Sequence, residues 1–173
     1  MNKIVKLTLI LFLVSAIVAG ILGLTNMVTE EPIKLYNEKK TEEAYRAVMD
    51  FNKCDPVDYK GDGTVTKVCK TDTGNWVVEA EVSGSQGMIT VAVGVNADLT
   101  CNGISIISSS ETSGLGSKAS NAEFKDQFVG ISADQAKVTK DGGVINAITG
   151  ATITSRAVCT AVDAAIAAVS TLG

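Results

Sequence analysis

Four hydroxyl side chains lie around one glycine near the C-terminal end of the chain, and their type and spacing could do chemistry. They are Thr149, Thr152, Thr154 and Ser155, and the glycine is Gly150. One interpretation is a helix cap, in which a single Ser or Thr accepts a hydrogen bond from a free backbone N–H. The other is an anion site, because the first turn of a helix offers unpaired N–H groups and a favourable dipole, and hydroxyls add donors around a phosphate. A cap needs only one hydroxyl, so the spacing leaves both interpretations open.

Two elements must position these hydroxyls. The residues before Gly150 form a short apolar approach that we expect to be extended, made of Val144, Ile145 and Ile148. From Arg156 onwards, apolar residues recur at the spacing of one buried helix face; they are Val158, Val162, Ala165, Ile166 and Val169. The pattern therefore predicts an extended segment, a hydroxyl-rich turn and then a helix.

The middle of the chain predicts an antiparallel sheet. Apolar and polar residues alternate best at 75–82, which predicts a half-buried strand with Trp76 in the core. Further strands are predicted near Val57 and at 64–70, 88–95 and 103–108, with turn residues between them. A short helix at 121–129 follows, with Phe124 and Phe128 on one face.

The N-terminal end of the chain is a candidate membrane anchor. Lys3 and Lys6 precede an uncharged run of 23 residues, 7–29, which as a helix would be about 34 Å long and could cross a bilayer core of about 30 Å. A cleavable signal peptide is the alternative, although its apolar region is usually shorter, about 7–15 residues. We favour a single retained anchor whose two lysines place its N-terminus in the cytoplasm. Pro32 marks the exit from the membrane, and a stalk helix is predicted over 34–50. The predicted organisation is an anchor within 1–29, a stalk at 30–52 and a domain at 53–173.

Composition excludes several classes of function. From Glu30 onwards the chain has 19 acidic and 13 basic residues, a net charge of −6, which argues against a nucleic-acid partner. There is no histidine, which excludes Ser-His-Asp and Cys-His nucleophilic sites and histidine-ligated haem or zinc. The four cysteines form no CxxC pair, so we expect no metal site. Cys54 and Cys69 are candidates for a disulfide in an oxidising compartment, and two buried free thiols are the alternative; Cys159 is expected to pack within the helix.

The turn at Gly150 belongs to a segment, Asn146 to Thr152, with the sequence NAITGAT. This segment resembles the flavinylation motif of the FMN-binding-domain family. The family pattern is Asp, two variable residues, Ser or Thr, Gly, Ala, and then the Thr or Ser that carries FMN through a phosphoester bond. Asn146 stands where the family has Asp, and the FMN-bearing residue corresponds to Thr152. The resemblance implies that Thr149, Gly150 and Ala151 belong to the site. Since Thr152 lies just before the predicted helix, we expect Thr154 and Ser155 to donate to the phosphate and Arg156 to add positive charge.

A second segment, residues 111–116, resembles the loop of that family that contacts the flavin ring. The family has Glu-Thr-Pro-Gly-Leu-Gly, and Ser113 replaces the proline here. The resemblance therefore places Glu111, Thr112, Gly114, Leu115 and Gly116 at the ring. The turn at 84–87 is similar to the family's Gly-Tyr-Gly-Gly, and the spacing of Phe124 and Phe128 also matches. The motifs occur in the family's order over about residues 84–160.

The resemblance implies a fold, a cofactor and partners. The fold would be α+β, with a single transmembrane helix, a stalk helix and an extracytoplasmic FMN-binding domain with an antiparallel sheet and a C-terminal helix. The family includes the G subunit of the Rnf electron-transport complex and the C subunit of the Na⁺-translocating NADH:quinone reductase, and the short chain favours the first. This implies an electron-carrying subunit that works with other membrane subunits and receives FMN from a separate flavin transferase. The alternatives are a stand-alone extracytoplasmic flavoprotein, a membrane-anchored binding domain without a cofactor, and a pilin-like subunit.

Overall fold

The computed structural model describes residues 2–61 and 63–173, and within them it contains three α-helices and five β-strands. The helices are α1 (Lys3–Val48), α2 (Ala122–Lys125) and α3 (Thr152–Leu172). The strands are β1 (Cys54–Val57), β2 (Val65–Thr71), β3 (Trp76–Ser83), β4 (Met88–Val95) and β5 (Cys101–Ser109). They pair in chain order and each is antiparallel to the next, which confirms the predicted antiparallel sheet and α+β class.

Helix α1 covers the predicted anchor segment from Lys3 onwards and the predicted stalk as far as Val48. It is 46 residues long with Pro32 inside it, so the two helical segments are continuous. It is long and apolar enough to cross a membrane, with a mean hydropathy of 2.7 in its most apolar window. The chain divides into two compact units, one ending at Lys40 and the other comprising Thr41–Gly173. The last turns of α1 therefore belong to the second unit.

The main core lies between α3 and one face of the sheet. The helix face predicted to be buried is buried, namely Val158, Val162, Ala165, Ile166 and Val169. Inward side chains of β3 and β4, including Val78, Val91 and Val93, pack in the same cluster. Phe124 and Phe128 join this core and contact each other edge to face, with ring centroids 5.4 Å apart. Helix α3 also has the length and composition of a membrane span, but these contacts make it the core helix of the domain.

The opposite face of the sheet is covered by the end of α1. A second, smaller apolar cluster joins the two elements and comprises Ala44, Val48, Met49, Val77, Ala92 and Ile107. We predicted that β3 is half-buried, and this is wrong: six of its eight residues are buried, because α3 covers one face of the strand and α1 covers the other. The alternation of apolar and polar residues along a strand does not show that its second face is also covered, when the covering helix comes from a distant part of the sequence.

One carboxylate, Glu79, lies within this second face and has three side-chain partners. The Tyr45 hydroxyl donates to Glu79 Oε2 at 2.9 Å, the Thr66 hydroxyl donates to Oε1 at 3.2 Å, and Lys67 Nζ lies 3.1 Å from Oε2. Burial, and then the charge and hydrogen bond of Glu79, raise the pKa of Tyr45. The hydroxyl therefore stays protonated and donates a hydrogen bond to the carboxylate. This bond fixes the last turns of α1 to the sheet.

The cysteines divide into one disulfide and two buried thiols. Cys54 on β1 and Cys69 on β2 are bonded, with their Cα atoms 5.6 Å apart, so the disulfide is the alternative that the structure contains. Cys101 and Cys159 are free and buried, and Cys159 packs within α3 as predicted. Burial raises the pKa of each of these two thiols to about 12, so both are protonated and unreactive at neutral pH.

Candidate functional site

Helix α3 begins at Thr152, four residues before the predicted start at Arg156. Ser155 accounts for the difference, because its backbone N–H donates to the Ala151 carbonyl at 3.0 Å. Its hydroxyl also accepts from the Ile148 N–H at 3.0 Å and donates to the Ala151 carbonyl at 2.9 Å. A hydroxyl inside the first turn thus holds the preceding loop against the helix, and the side chain at the N-cap position, Ala151, makes no capping hydrogen bond.

The segment before this turn is only partly strand-like. Ile145 is fully buried and forms an isolated parallel bridge with Val138, whereas Val144 is exposed. The Asn146 N–H donates to Gln127 Oε1 at 2.7 Å. The predicted extended approach is therefore limited to the immediate neighbourhood of Ile145.

The four hydroxyls around Gly150 have different surroundings. Ser155 is buried in the contacts described above, and Thr154 is buried with its hydroxyl donating to the Glu111 carboxylate. Thr149 is exposed and Thr152 is half-buried. The hydroxyls of Thr154 and Ser155 both donate to oxygens of the protein in this structure, and the expectation that they donate to a phosphate stays a prediction.

Arg156 is paired outside the hydroxyl cluster. Its Nε and Nη2 atoms lie 2.7 Å and 2.8 Å from the two carboxylate oxygens of Asp141. The hydrogen bonds and charge of Arg156 hold the pKa of Asp141 below its ordinary value, so the ion pair is intact at neutral pH. Arg156 therefore connects a preceding turn to α3, and the expectation that its charge serves an anion at the hydroxyls stays a prediction.

A cleft of about 370 Å³ opens at the start of α3. Three segments form it: the turn between β3 and β4, the loop that follows β5, and residues 150–154. Eight of the predicted site residues line it, namely Glu111, Thr112, Leu115, Gly116, Gly150, Ala151, Thr152 and Thr154. Residues of the two motifs, which are 30 or more residues apart in the sequence, thus line one cleft.

The remaining predicted residues lie elsewhere, and three residues of the cleft were not predicted. Gly114 and Ser155 do not line the cleft, and Thr149 lines a separate one of about 240 Å³. The three residues that sequence analysis missed are Ser85, Gln86 and Ile153. The similarity of the 84–87 turn to a family motif was a signal for the first two, whereas Ile153 has no signal beyond its place next to Thr152.

Glu111 is the most highly bonded side chain of the cleft. Its Oε1 accepts hydrogen bonds from the backbone N–H groups of Ser85 at 2.8 Å and Gln86 at 3.0 Å, and its Oε2 accepts one from the Thr154 hydroxyl. Desolvation opposes ionisation of this carboxyl, but the hydrogen bonds outweigh it and hold the pKa of Glu111 below its ordinary value. Glu111 is therefore an anion at neutral pH, with its charge directed into three donors.

Two apolar side chains give the cleft a surface that a flat ring could contact. Leu115 is 44% exposed and Ile153 is 57% exposed, and both line the cleft. Leu115 lies close over the loop at Gly150, since a Cβ placed on Gly150 would be 3.2 Å from Leu115 Cδ2. An exposed Leu and Ile at the mouth of one cleft are typical of a ligand or partner surface.

Comparisons with known proteins agree with this arrangement. A family model described as "FMN-binding domain" matches residues 84–167, which include the whole lining of the cleft. The G subunit of the ion-translocating oxidoreductase complex of Methanosarcina acetivorans is 35% identical over 98% of this chain and 96% of the relative. The G subunit of the Na⁺-translocating ferredoxin:NAD⁺ oxidoreductase complex of Acetobacterium woodii is 37% identical over 93% of this chain and 89% of the relative.

A solved structure has the same fold. The C subunit of the Na⁺-translocating NADH-quinone reductase from Parabacteroides distasonis superposes with a TM-score of 0.59 over 79% of this chain and 92% of the other, at 18% identity. The fold similarity and the near full-length sequence matches agree with the resemblance carried by residues 111–116 and 146–152. This chain belongs to the family of G subunits of ion-translocating oxidoreductase complexes.

Proposed function

We propose that this chain is the FMN-carrying electron-transfer subunit of a membrane-bound, ion-translocating ferredoxin:NAD⁺ oxidoreductase complex, with FMN attached to Thr152 by a phosphoester. It carries electrons within the complex and is not a catalyst on its own. Support comes from the family, from relatives whose names state this complex, and from the FMN-binding domain match over the cleft. FMN supplies the redox chemistry when bound, and this chain attaches, orients and shields it.

The observation that carries the acceptor assignment is the different accessibility of four chemically equivalent hydroxyls. Thr154 and Ser155 are both fully buried and donate to protein oxygens. Thr149 is exposed but lines a separate cleft. Thr152 alone of the four is both accessible and part of the cleft that contains Leu115. It is therefore the hydroxyl that can hold a phosphate while the ring contacts the 111–116 loop.

The start of α3 fits the phosphate of FMN. The first turn of an α-helix has N–H groups without partners inside the helix, and the Ala151 side chain at this start makes no capping bond. A phosphate on Thr152, the first residue of the helix, would meet those groups at the positive end of the helix dipole, which contributes about 0.3–1 kcal/mol per charge interaction at an exposed site. Leu115 and Ile153 would then lie where the isoalloxazine can cover them.

Covalent attachment has a physical use in the location that we propose. The segment 1–29, which α1 covers from Lys3 onwards, would anchor the chain with Lys3 and Lys6 in the cytoplasm, so that the domain lies outside. Flavin released there would be lost by dilution, whereas a covalent bond keeps one FMN at high effective concentration beside its partners. Those partners are the other membrane subunits of the complex, and a flavin transferase would form the bond to Thr152.

The test uses the full chain produced together with a flavin transferase. After denaturation and gel electrophoresis, the protein band should fluoresce under ultraviolet light, because only a covalent flavin survives these steps. Mass spectrometry of the peptide that spans residues 141–156 should then place one FMN phosphoryl group on Thr152. A band without fluorescence, or a flavin mapped to another residue, would contradict the proposal.

A further inference from the structure

Two glycines make room for the Glu111 carboxylate on opposite sides. A Cβ at Gly84 would collide with Glu111 Oε1 and would lie 2.7 Å from Ile89 Cδ1. A Cβ at Gly116 would lie 2.5 Å from Glu111 Oε2 and 2.7 Å from Glu111 Cβ. Ordinary Cβ atoms do not approach other heavy atoms so closely. The Glu111 side chain therefore occupies space, which we call the socket, that a Cβ at either glycine would enter.

The donors around the carboxylate come from two other segments of the cleft. Oε1 accepts from the backbone of Ser85 and Gln86 in the β3–β4 turn, and Oε2 accepts from Thr154 in the first turn of α3. Glu111 itself lies in the loop after β5. One side chain thus connects all three segments that line the cleft, and each of its oxygens connects its own loop to a different neighbour.

The backbone end of this junction requires an acceptor, because two N–H groups donate there, whereas the Thr154 hydroxyl can either donate or accept. The carboxylate, with two accepting oxygens, satisfies all three donors. A glutamine could keep both ends, because its oxygen can accept from the two N–H groups while its NH₂ group donates to the Thr154 oxygen. Glu111→Leu removes both accepting oxygens and should therefore break both ends of the junction while leaving an apolar side chain in the socket.

We propose that Glu111 is a positioning residue, which fixes the 111–116 loop relative to the start of α3 and thereby sets how the flavin ring lies when its phosphate is on Thr152. This inference rests on the proposed function. It assigns Glu111 a role distinct from the ring contact that the family resemblance implies: the carboxylate acts through the Ser85–Gln86 turn and Thr154, and Leu115 faces the ring.

The first test is a spectroscopic signature of the ring in full-length, flavin-loaded protein. Visible circular dichroism and the flavin midpoint potential should change in Glu111→Leu, which breaks both ends of the junction, and in Thr154→Val, which breaks only the Thr154 end. The double variant should show less than the sum of the two changes, since both act through one junction. Thr154→Ser keeps the hydroxyl and should restore the wild-type signal. Asp163→Asn removes an exposed carboxylate of α3 outside the cleft and is the matched control.

The second test needs no flavin. Amide hydrogen exchange at Ser85 and Gln86 in the FMN-free chain should be roughly tenfold faster in Glu111→Leu than in wild type, the scale expected for loss of one such hydrogen bond, and unchanged in Asp163→Asn. Unchanged exchange, or an unaltered ring signal in Glu111→Leu with flavin on Thr152, would overturn the positioning role and leave the proposed function standing. A wild-type chain without flavin on Thr152 would overturn the proposed function, and the positioning role with it.

Discussion

Thr149 and Thr152 have the same hydroxyl and lie three residues apart, on either side of Gly150, so they form a matched pair for testing the acceptor. Thr152→Ala should abolish covalent FMN and change the free energy of unfolding by no more than about 0.5 kcal/mol, as for other partly exposed positions. Thr149→Ala should keep full flavin content, because this hydroxyl lines a different cleft. In-gel fluorescence and a denaturation curve measure both quantities. Flavin that persists in Thr152→Ala, or that disappears in Thr149→Ala, would contradict the assignment.

Gly116 and Gly114 are two residues apart in the same loop but differ in what a methyl group would meet. Gly116→Ala should disturb the cleft, because its Cβ would lie 2.5 Å from Glu111 Oε2, and overpacking of this kind costs about 1–3 kcal/mol. Gly114→Ala meets open space but has φ of +80°, so it should lose about 1–2 kcal/mol from backbone strain alone. We expect both variants to be less stable and only Gly116→Ala to alter the flavin circular dichroism. Equal flavin circular dichroism spectra for the two variants would contradict the close contact between Gly116 and Glu111.

The roles of single residues in the site were only partly predictable. Thr152 and the 111–116 loop came from motif similarity, and the structure brings these two motifs to one cleft. The bonds of Thr154 could not be predicted, because its partner Glu111 is 43 residues away in the sequence. The same holds for Arg156, whose partner Asp141 precedes it by 15 residues. A hydroxyl or a guanidinium has many possible partners, and only the fold determines which one is adjacent.

At the scale of elements, the end of α1 approaches β4 closely. A Cβ on Gly94 would lie 2.5 Å from the Val48 carbonyl oxygen, to which Asn102 Nδ2 donates at 2.7 Å. Gly94→Ala should therefore destabilise the domain by about 1–3 kcal/mol, as chemical denaturation would show. Gly103→Ala is the control on the paired position of β5, where the nearest atom of α1 is 4.0 Å from the added carbon. A similar free energy of unfolding for the two variants would argue against this close packing of the end of α1 on β4.

The strands and helices themselves were largely predictable from the sequence, but which faces of the sheet are buried by helices was not. The alternation at 75–82 and the turn residues between the segments predicted all five strands. The burial of Val77 and Ala92 could not be predicted in the same way, since it depends on where Val48 and the end of α1 pack. The start of α3 was placed too late because Ser155 and Thr154 look like turn residues, while their hydroxyls bond within the helix turn and to Glu111.

At the scale of the whole molecule, the positions of the cysteines make a direct test of membrane orientation possible. Cys54 and Cys69 are joined in a disulfide, and Cys101 and Cys159 are buried thiols with a pKa of about 12. A membrane-impermeant maleimide should therefore react very slowly with the native chain, because the thiolate is the nucleophile and almost none is present. A disulfide between β1 and β2 also suits an oxidising compartment outside the cytoplasm.

An introduced cysteine can then report which side of the membrane each end of the chain occupies. Lys60→Cys lies at an exposed position of the domain, and Asn2→Cys lies at an exposed position just before α1. We propose that Lys3 and Lys6 keep the N-terminus in the cytoplasm, and Lys60→Cys should then be labelled in intact cells or spheroplasts. Asn2→Cys should be labelled only after lysis, and in the same cells it controls for leakage. Labelling of Asn2→Cys in intact cells, together with protection of Lys60→Cys, would show the opposite orientation. The domain would then face the cytoplasm, and covalent attachment would not be needed to prevent loss of FMN outside the cell.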